Sequence, residues 1–405
     1  MNVPLLDLKA QYVGEMREQI RAAIDEVCDA QWFVMGPNVS DLEAEIAAYT
    51  GAKHAIGCAS GSDALLLALM GLDIGCNGGE NGRVICPSYT FFATGGSTAR
   101  LGAVPVYVDI DPVTYNMDPE KVREVAKRTP NLAAIMPVHL FGQCVDMDAY
   151  RAIADEFGVP LIEDAAQAIG SKDHKGRMAG TVGDIGCFSF FPSKNLGGFG
   201  DGGIITTNDD ALAEKLAVLR IHGGKPKYYH SMIGVNSRLD ALQAAVLRVK
   251  LRYLEGWHAG RIANADFYDD AFLEAGAATT ATPLGEPADL ALRIPERPAA
   301  PARHIYNQYV IRVPAEHRDA LREHMSTAKI GTEIYYPVPL HMQECFAYLG
   351  QPEGDLPESE AAARETIALP IYAELAVEQK RHVVDTVVGY LRRHATKAKA
   401  AAGTR

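Results

Sequence analysis

The sequence predicts an α/β fold: a large unit built on a mostly parallel mixed sheet covered by helices, followed by a smaller α+β unit. Three observations predict it. Short apolar runs of strand length alternate with stretches of helical period, the pattern of parallel strands joined by crossover helices. The 405 residues are 48% hydrophobic, more than one core usually sustains. Beyond Ser237 the alternation gives way to a long helical stretch and then an Ala- and Pro-rich connection. The large unit is therefore expected over residues 1–250 and the small one over 251–405.

Taken in order, SDLEAEIAAYTG (Ser40 to Gly51) opens with a capping box of Ser40 and Glu43 and closes on glycine, so it is predicted helical. GCASGSDALLLALMG (Gly57 to Gly71) places small residues ahead of an apolar helix. GLDIGCNGGENGRVICP (Gly71 to Pro87) lacks G-x-G-x-x-G spacing and reads as a surface turn, not a nucleotide loop. Strands are predicted at Val84–Pro87, Val104–Ile110, Ala133–Val138, Val159–Glu163, Ile185–Phe190 and Gly203–Thr207. DAYRAIADEFG (Asp148 to Gly158) repeats the helix grammar. Arg238–Trp257 reads as one long helix, Ala275–Arg303 as an irregular connection, Tyr306–Val313 as a strand and Glu378–Arg393 as a final helix.

Composition excludes several classes. The net charge is -12, from 39 Lys+Arg against 51 Asp+Glu, which disfavours non-specific binding to nucleic acid or anionic membrane. Seven cysteines, none in a C-x-x-C pair, suggest neither a disulfide framework nor a zinc site. Cys58, Cys86 and Cys187 lie in apolar runs and read as small buried hydrophobes. No histidine pair has metal-ligand spacing; His139, His222 and His341 read as structural or substrate-facing, and no metal is expected. MNVPLLDLKAQY lacks the basic-then-apolar order of a signal peptide, and no apolar run approaches the ~18 residues of a membrane span. A cytoplasmic enzyme without a membrane or nucleic-acid partner is expected.

In open α/β sheets, ligands bind beyond the carboxyl ends of the strands. Asp164 follows the predicted strand VPLIE, and Lys194 follows CFSF in SFFPSKNLGGFGDGG. At the start of the apolar helix, the N–H groups of Gly61, Ser62 and Asp63 form a phosphate cradle by geometry and dipole. Each feature has a plainer reading: a turn cap, a solvated lysine, an ordinary N-cap. Together, an amine, an acid and a phosphate cradle are the parts that hold pyridoxal phosphate, which uses a lysine Schiff base and an acid at its pyridine nitrogen. Five glycines in the nine residues after Lys194 let backbone pass a bound ring without Cβ clashes.

These residues, with PSYTFFAT, PVHLFGQCVDMD, LIEDAAQAIGS, GVNSRLDALQAA, YYPVPLH and LPIYAEL, occur in an order that resembles the DegT/DnrJ/EryC1/StrS family of sugar aminotransferases. The resemblance runs nearly end to end and implies the fold type I of pyridoxal-phosphate enzymes. It implies that Lys194 carries the cofactor and shuttles the proton, and that Asp164 pairs with the pyridine nitrogen. It further implies that Gln167 reaches the ring's phenolic oxygen, that Phe91 stacks on the ring, and that Gly61, Ser62 and Ser189 bind the phosphate. Asn236, in GVNSRLD, is implied to reach the phosphate of a partner subunit, so a homodimer with shared sites is expected. Gln167 as a helix-surface residue and Phe91 as a core residue remain the plainer alternatives.

The implied substrates are a keto-sugar linked to a nucleoside diphosphate and L-glutamate as amino donor. VPLLDLKAQY and HLFGQ look more like relatives that aminate the sugar 3-position than the 4-position. An acidic chain needs a local basic patch for such a substrate, and HGGKPKYYH offers Lys225, Lys227 and Tyr229, with a solvated surface loop as the alternative. Arg238 is a further candidate, or a salt-bridge residue. Tyr335 stands where many relatives carry histidine, and it joins His341 as a candidate substrate contact from the small unit. Two alternatives stand beside the transaminase: a pyridoxal-phosphate sugar dehydratase, whose relatives replace the lysine by histidine, and a non-catalytic regulator that binds the cofactor.

Overall fold

Both faces of the predicted strands carry apolar side chains, so a sheet made from them has to be covered twice. The computed structural model, which describes residues 1–75, 82–279, 282 and 288–402 and side chains to residue 394, shows how. The central strands are β1 (His54–Cys58), β2 (Arg83–Pro87), β3 (Val104–Val108), β4 (Leu132–Ile135), β5 (Ile162–Asp164), β6 (Ile185–Ser189) and β7 (Gly203–Thr207). β2 lies between β3 and β4, all parallel, and β5 runs parallel to β6. Parallel bridges Ile135–Leu161 and Val138–Asp164 join the two groups side by side. β7 is antiparallel to both β6 and β1, so the sheet is mixed at one edge.

Side chains alternate between faces at period two. Val84, Cys86, Cys187 and Ile205 pack under the helix Gly61–Gly71, with Leu65 and Leu69. Ile85, Val108, Ile135 and Leu161 face the other way, against Tyr150 and Ile153. Phe188 and Ile204 also turn away, toward Leu42, Ile46 and Leu239. The strand HAIGC is one the sequence does not announce: it holds a histidine and a glycine, and its identity comes from pairing with β7 far along the chain.

Three helix expectations are corrected. The helix Pro37–Thr50 starts before Ser40, with Pro37 in its first turn and Gly36 at the cap. Ser40 Oγ instead donates to the carbonyl of Pro37 at 3.0 Å, and Glu43 accepts from Gly57 N–H at 2.8 Å, so no capping box forms. The helix predicted from Asp148 is Met147–Phe157, because the Asp146 carboxylate accepts from the N–H groups of Asp148 and Ala149. The long helix at Arg238–Trp257 is two, Ala241–Leu251 and Leu254–Glu274. Between them Arg252 and Tyr253 bond back three residues, to Val249 and Lys250, a tighter spacing that turns the axis.

Strands β8 (Tyr309–Arg312) and β9 (Thr366–Leu369) pair antiparallel. Around them Tyr268, Phe272, Leu321, Val383 and Val387 form a separate core. Val3 joins this core, held by an N–H bond to Lys329 O and by Gly331 N–H to its own carbonyl. Part of the Ala275–Arg303 connection and part of the Gly71–Pro87 turn, with Cys76, lie outside the described residues. Among the described residues no helix is long and apolar enough to cross a membrane.

Candidate functional site

Glu163 and Asp164 end β5 as neighbours, so the pleat sends them to opposite faces and into different surroundings. Glu163 is fully buried and accepts from Gly180, Val182 and Gly183 N–H groups and from His139 Nε2 at 2.7 Å. Burial raises its pKa, but the His139 bond and those N–H groups outweigh burial and hold it below the usual range. His139 Nδ1 accepts from Val145 N–H at 3.2 Å, so His139 is a structural donor beneath the sheet.

Asp164 has fewer donors. Thr94 Oγ1 gives Oδ2 a hydrogen bond of 2.9 Å, and Ala166 N–H reaches Oδ1 at 3.2 Å. Burial outweighs these contacts, and the charge of Lys194, and pushes Asp164 up. A carboxylate in that state gains most from a cationic partner with a proton to share.

Lys194 stands on the turn after β6, where its N–H bonds Phe191 O at 2.8 Å. Desolvation holds its amine down to about 8, with Asp164 pulling the other way. Asn195, next to it, donates Nδ2 to Ile305 O at 3.1 Å and ties the turn to the later part of the chain.

Ser60 caps the helix Gly61–Gly71, its side chain accepting from Asp63 N–H at 3.1 Å. Among the described residues the N–H groups of Gly61 and Ser62 have no acceptor, so the helix start can take an anion. Ser189, the last residue of β6, lies against it: a Cβ on Gly61 would sit 2.6 Å from Ser189 Cβ. Glycine is required there because the strand end and helix start approach so closely. Gly61, Ser62 and Ser189 thus meet at one place.

Gln167 is buried and fixed, not a helix-surface residue. Its Oε1 accepts from Phe141 N–H at 2.7 Å, and its Nε2 donates to Tyr336 OH at 2.9 Å, leaving one amide proton. Phe91 is 54% exposed, with its ring 6.0 Å from Tyr336. An aromatic ring left open at the carboxyl ends of the strands is suited to stacking, not to the core. Thr94 and Tyr336 are contributors the sequence reading missed. Thr94 sits in the quoted PSYTFFAT and Tyr336 in YYPVPLH, but neither motif shows which side chain turns inward.

The remaining candidates divide. Asn236 is exposed, and the next side chain, Ser237 Oγ, accepts from Ala59 N–H at 3.2 Å beside the cradle. Lys225 pairs with Glu214 at 2.7 Å and Lys227 lies 5.0 Å over the Tyr228 ring, while Tyr229 is exposed. Arg238 is half-buried and has no ion pair among the described residues. Tyr335 is half-buried, packs on Tyr336 at 5.7 Å and accepts from Tyr89 OH through its carbonyl. The expectation that His341 meets substrate is corrected. Its side chain is fully buried, with Nδ1 on Ser88 Oγ at 2.7 Å and Nε2 on Glu360 at 3.3 Å, so neither nitrogen is free. Asp146, Asp148 and His174 come together on the surface, but Lys175 and Arg177 already neutralise Asp148.

The profile of the DegT/DnrJ/EryC1/StrS aminotransferase family matches residues 14–388. A pleiotropic regulatory protein of Geobacillus stearothermophilus is 47% identical over 395 residues, covering 98% of this chain and 100% of the relative. The dTDP-3-amino-3,4,6-trideoxy-alpha-D-glucose transaminase of Streptomyces venezuelae is 41% identical over 385 residues, 95% of each chain. The crystal structure of NtdA from Bacillus subtilis with bound cofactor PMP superposes with a TM-score of 0.84 at 30% identity, covering 96% of this chain and 85% of the other. With a family match over nearly the whole chain, sugar-transaminase kin at about 40% identity and the same fold, this chain belongs to the DegT/DnrJ/EryC1/StrS aminotransferase family and is an enzyme of the transaminase class.

Proposed function

We propose that the protein is a pyridoxal-phosphate-dependent aminotransferase that moves an amino group from L-glutamate to a 3-keto-sugar linked to a nucleoside diphosphate. The observation that supports it best is the placement of Asp164 and Lys194 at the ends of the paired strands β5 and β6, where burial raises the pKa of the acid and lowers that of the amine, each charge opposing the shift in the other. The residues fit the cofactor: an anion cradle that tolerates no Cβ, a buried acid short of a cationic partner, a neutralisable amine and an open aromatic face.

When bound, pyridoxal phosphate supplies an electron sink for breaking the bond to hydrogen at the amine-bearing carbon. The chain's residues do the rest. Lys194 would hold the cofactor through its amine, and that same amine, freed when the substrate's amino group takes its place, would carry the proton. Asp164, oriented by Thr94 and Ala166, keeps the pyridine nitrogen protonated. Gly61, Ser62 and Ser189 hold the phosphate, Gln167 offers its free amide proton to the phenolic oxygen, and Phe91 packs on the ring. Asn236 completes the phosphate site of a second subunit in a homodimer. Lys225, Lys227, Tyr229, Arg238 and Tyr335 serve the nucleotide sugar.

The test is incubation of the loaded protein with glutamate and a panel of nucleotide-linked 3-keto and 4-keto sugars, with products read by mass and NMR. The 3-amino product is expected. A 4-amino product would overturn the regiochemistry, and no product from any of them would overturn the substrate class. Replacing both Lys225 and Lys227 by alanine is expected to raise the KM for the nucleotide sugar by about tenfold and to weaken its salt dependence, leaving the glutamate half-reaction unchanged. A KM equal to the parent's returns these lysines to the solvated surface.

Shared sites have their own test. Mixing inactive Lys194→Ala chains with impaired Asn236→Ala chains is expected to restore part of the activity, because one hybrid site then has both residues intact. No recovery after confirmed subunit exchange would place Asn236 outside the partner's site. The 47% identical relative is named a pleiotropic regulatory protein, which favours a regulatory role beside turnover as a second reading.

A further inference from the structure

The turn that carries Lys194 is held from behind by a second lysine. Lys250 lies on the helix Ala241–Leu251 and is 3% exposed. Its ammonium donates to the carbonyl of Gly197, three residues after Lys194. The ring of Phe199 lies 5.9 Å from the ammonium and that of Trp257 lies 5.7 Å away. Among the described residues no carboxylate forms an ion pair with it. Burying an ammonium without an ion-pair partner is unfavourable, so packing alone does not account for a lysine here. Burial holds the Lys250 amine down to about 8, with distant Glu374 opposing.

The same helix makes a second clamp. Gln243 lies seven residues before Lys250, on the same face two turns away, and its Oε1 accepts from Phe199 N–H at 2.7 Å. Between the clamps the chain folds back tightly. Gly198 N–H bonds Phe190 O at 2.8 Å, and a Cβ on Gly197 would sit 2.3 Å from Pro192 O. The loop cannot relieve a lost clamp by packing a side chain at Gly197, because none fits. Behind it lies a cavity of about 290 Å³ lined by Tyr12, Met16, Ile20, Pro192, Phe199 and Lys250, among others, into which a released turn could move.

We propose that Lys250 is a positioning residue for Lys194: by holding the Gly197 carbonyl, it fixes the turn on which the Lys194 amine is presented to the site. The inference rests on Lys194 as the cofactor-bearing residue, which borohydride labelling of the parent tests by itself.

Lys250→Met keeps the length and apolar stem and removes the donor. In the unloaded variant, the pH midpoint for acylation of the Lys194 amine, read by mass spectrometry of its peptide, is expected to rise by about one unit as water reaches the loosened turn. In the loaded variant, kcat is expected to fall about tenfold or more, with KM for the nucleotide sugar within about twofold. Lys250→Gln, which restores a neutral donor, is expected to lie between Lys250→Met and the parent on both readings. A parental midpoint and parental kcat in Lys250→Met, with only a lower Tm, would make Lys250 a packing residue and overturn the proposal. If Lys250→Met does not fold, the same two readings on Lys250→Gln decide: a raised midpoint with lowered kcat supports the proposal, and parental values overturn it.

Discussion

Lys194→Ala is expected to abolish amino transfer, with a loss of roughly ten-thousand-fold or more, because one amine both holds the cofactor and moves the proton. In the parent, borohydride is expected to fix the cofactor to a single peptide containing Lys194. A labelled peptide without Lys194 would remove it from the mechanism. The environment adds a pH dependence. An amine held down to about 8 is largely neutral at mildly alkaline pH, whereas a solvated lysine is not. The rate at which unloaded protein attaches the cofactor is therefore expected to rise with pH and level off above about 8. A rate that kept rising toward the midpoint of a free lysine would mean that the turn does not shield Lys194.

Asp164→Asn carries the second large effect. The amide keeps the shape and the contact with Thr94 but cannot hold a protonated nitrogen opposite it. Turnover is expected to fall about a thousand-fold, with modest loss of bound cofactor, since the phosphate cradle and Lys194 are untouched. A variant within about tenfold of the parent would exclude an electrostatic role for Asp164. Thr94→Val gives a finer reading of the same site. Removing the 2.9 Å donor leaves Asp164 with Ala166 N–H alone, so its proton affinity is expected to rise further.

Much of this site was legible because its parts lie on short motifs at strand ends. Asp164 ends a strand, Lys194 follows one, and Gly61 and Ser62 start a helix, features that local sequence shows; Ser189 came only from the family resemblance. Long-range contacts were not legible. Thr94 and Tyr336 acquire meaning only when Asp164 and Gln167 are brought to them across 70 and 169 residues. His341 looked open in the loop YYPVPLH, and only the fold shows Ser88 and Glu360 closing over it. The capping box at Ser40 failed for a similar reason. Glu43 had a better use across the fold, with Gly57 N–H and Arg220, than with its own helix. The strand HAIGC is the clearest case among the folding elements, because five residues with a histidine and a glycine carry no strong signal of their own.

That strand also sets the order in which a newly made chain can assemble. His54–Cys58 finds its partner only in Gly203–Thr207, with β7 already set against Gly186–Ser189. A ribosome working at ~5–20 residues per second needs roughly seven to thirty seconds to travel between those two stretches. Through that interval the edge groups of β1 lack their partner, and the helix bearing Gly61 and Ser62 has no Ser189 to rest against. Val3 waits longer still, because its backbone partners at Lys329 and Gly331 are made near the end of synthesis. The nascent chain therefore holds apolar surface and an unpaired strand through about a third of its translation. In a cell, demand on holding chaperones should fall off sharply once β7 has cleared the exit tunnel, and arrested chains ending before Gly203 should be the most prone to aggregate.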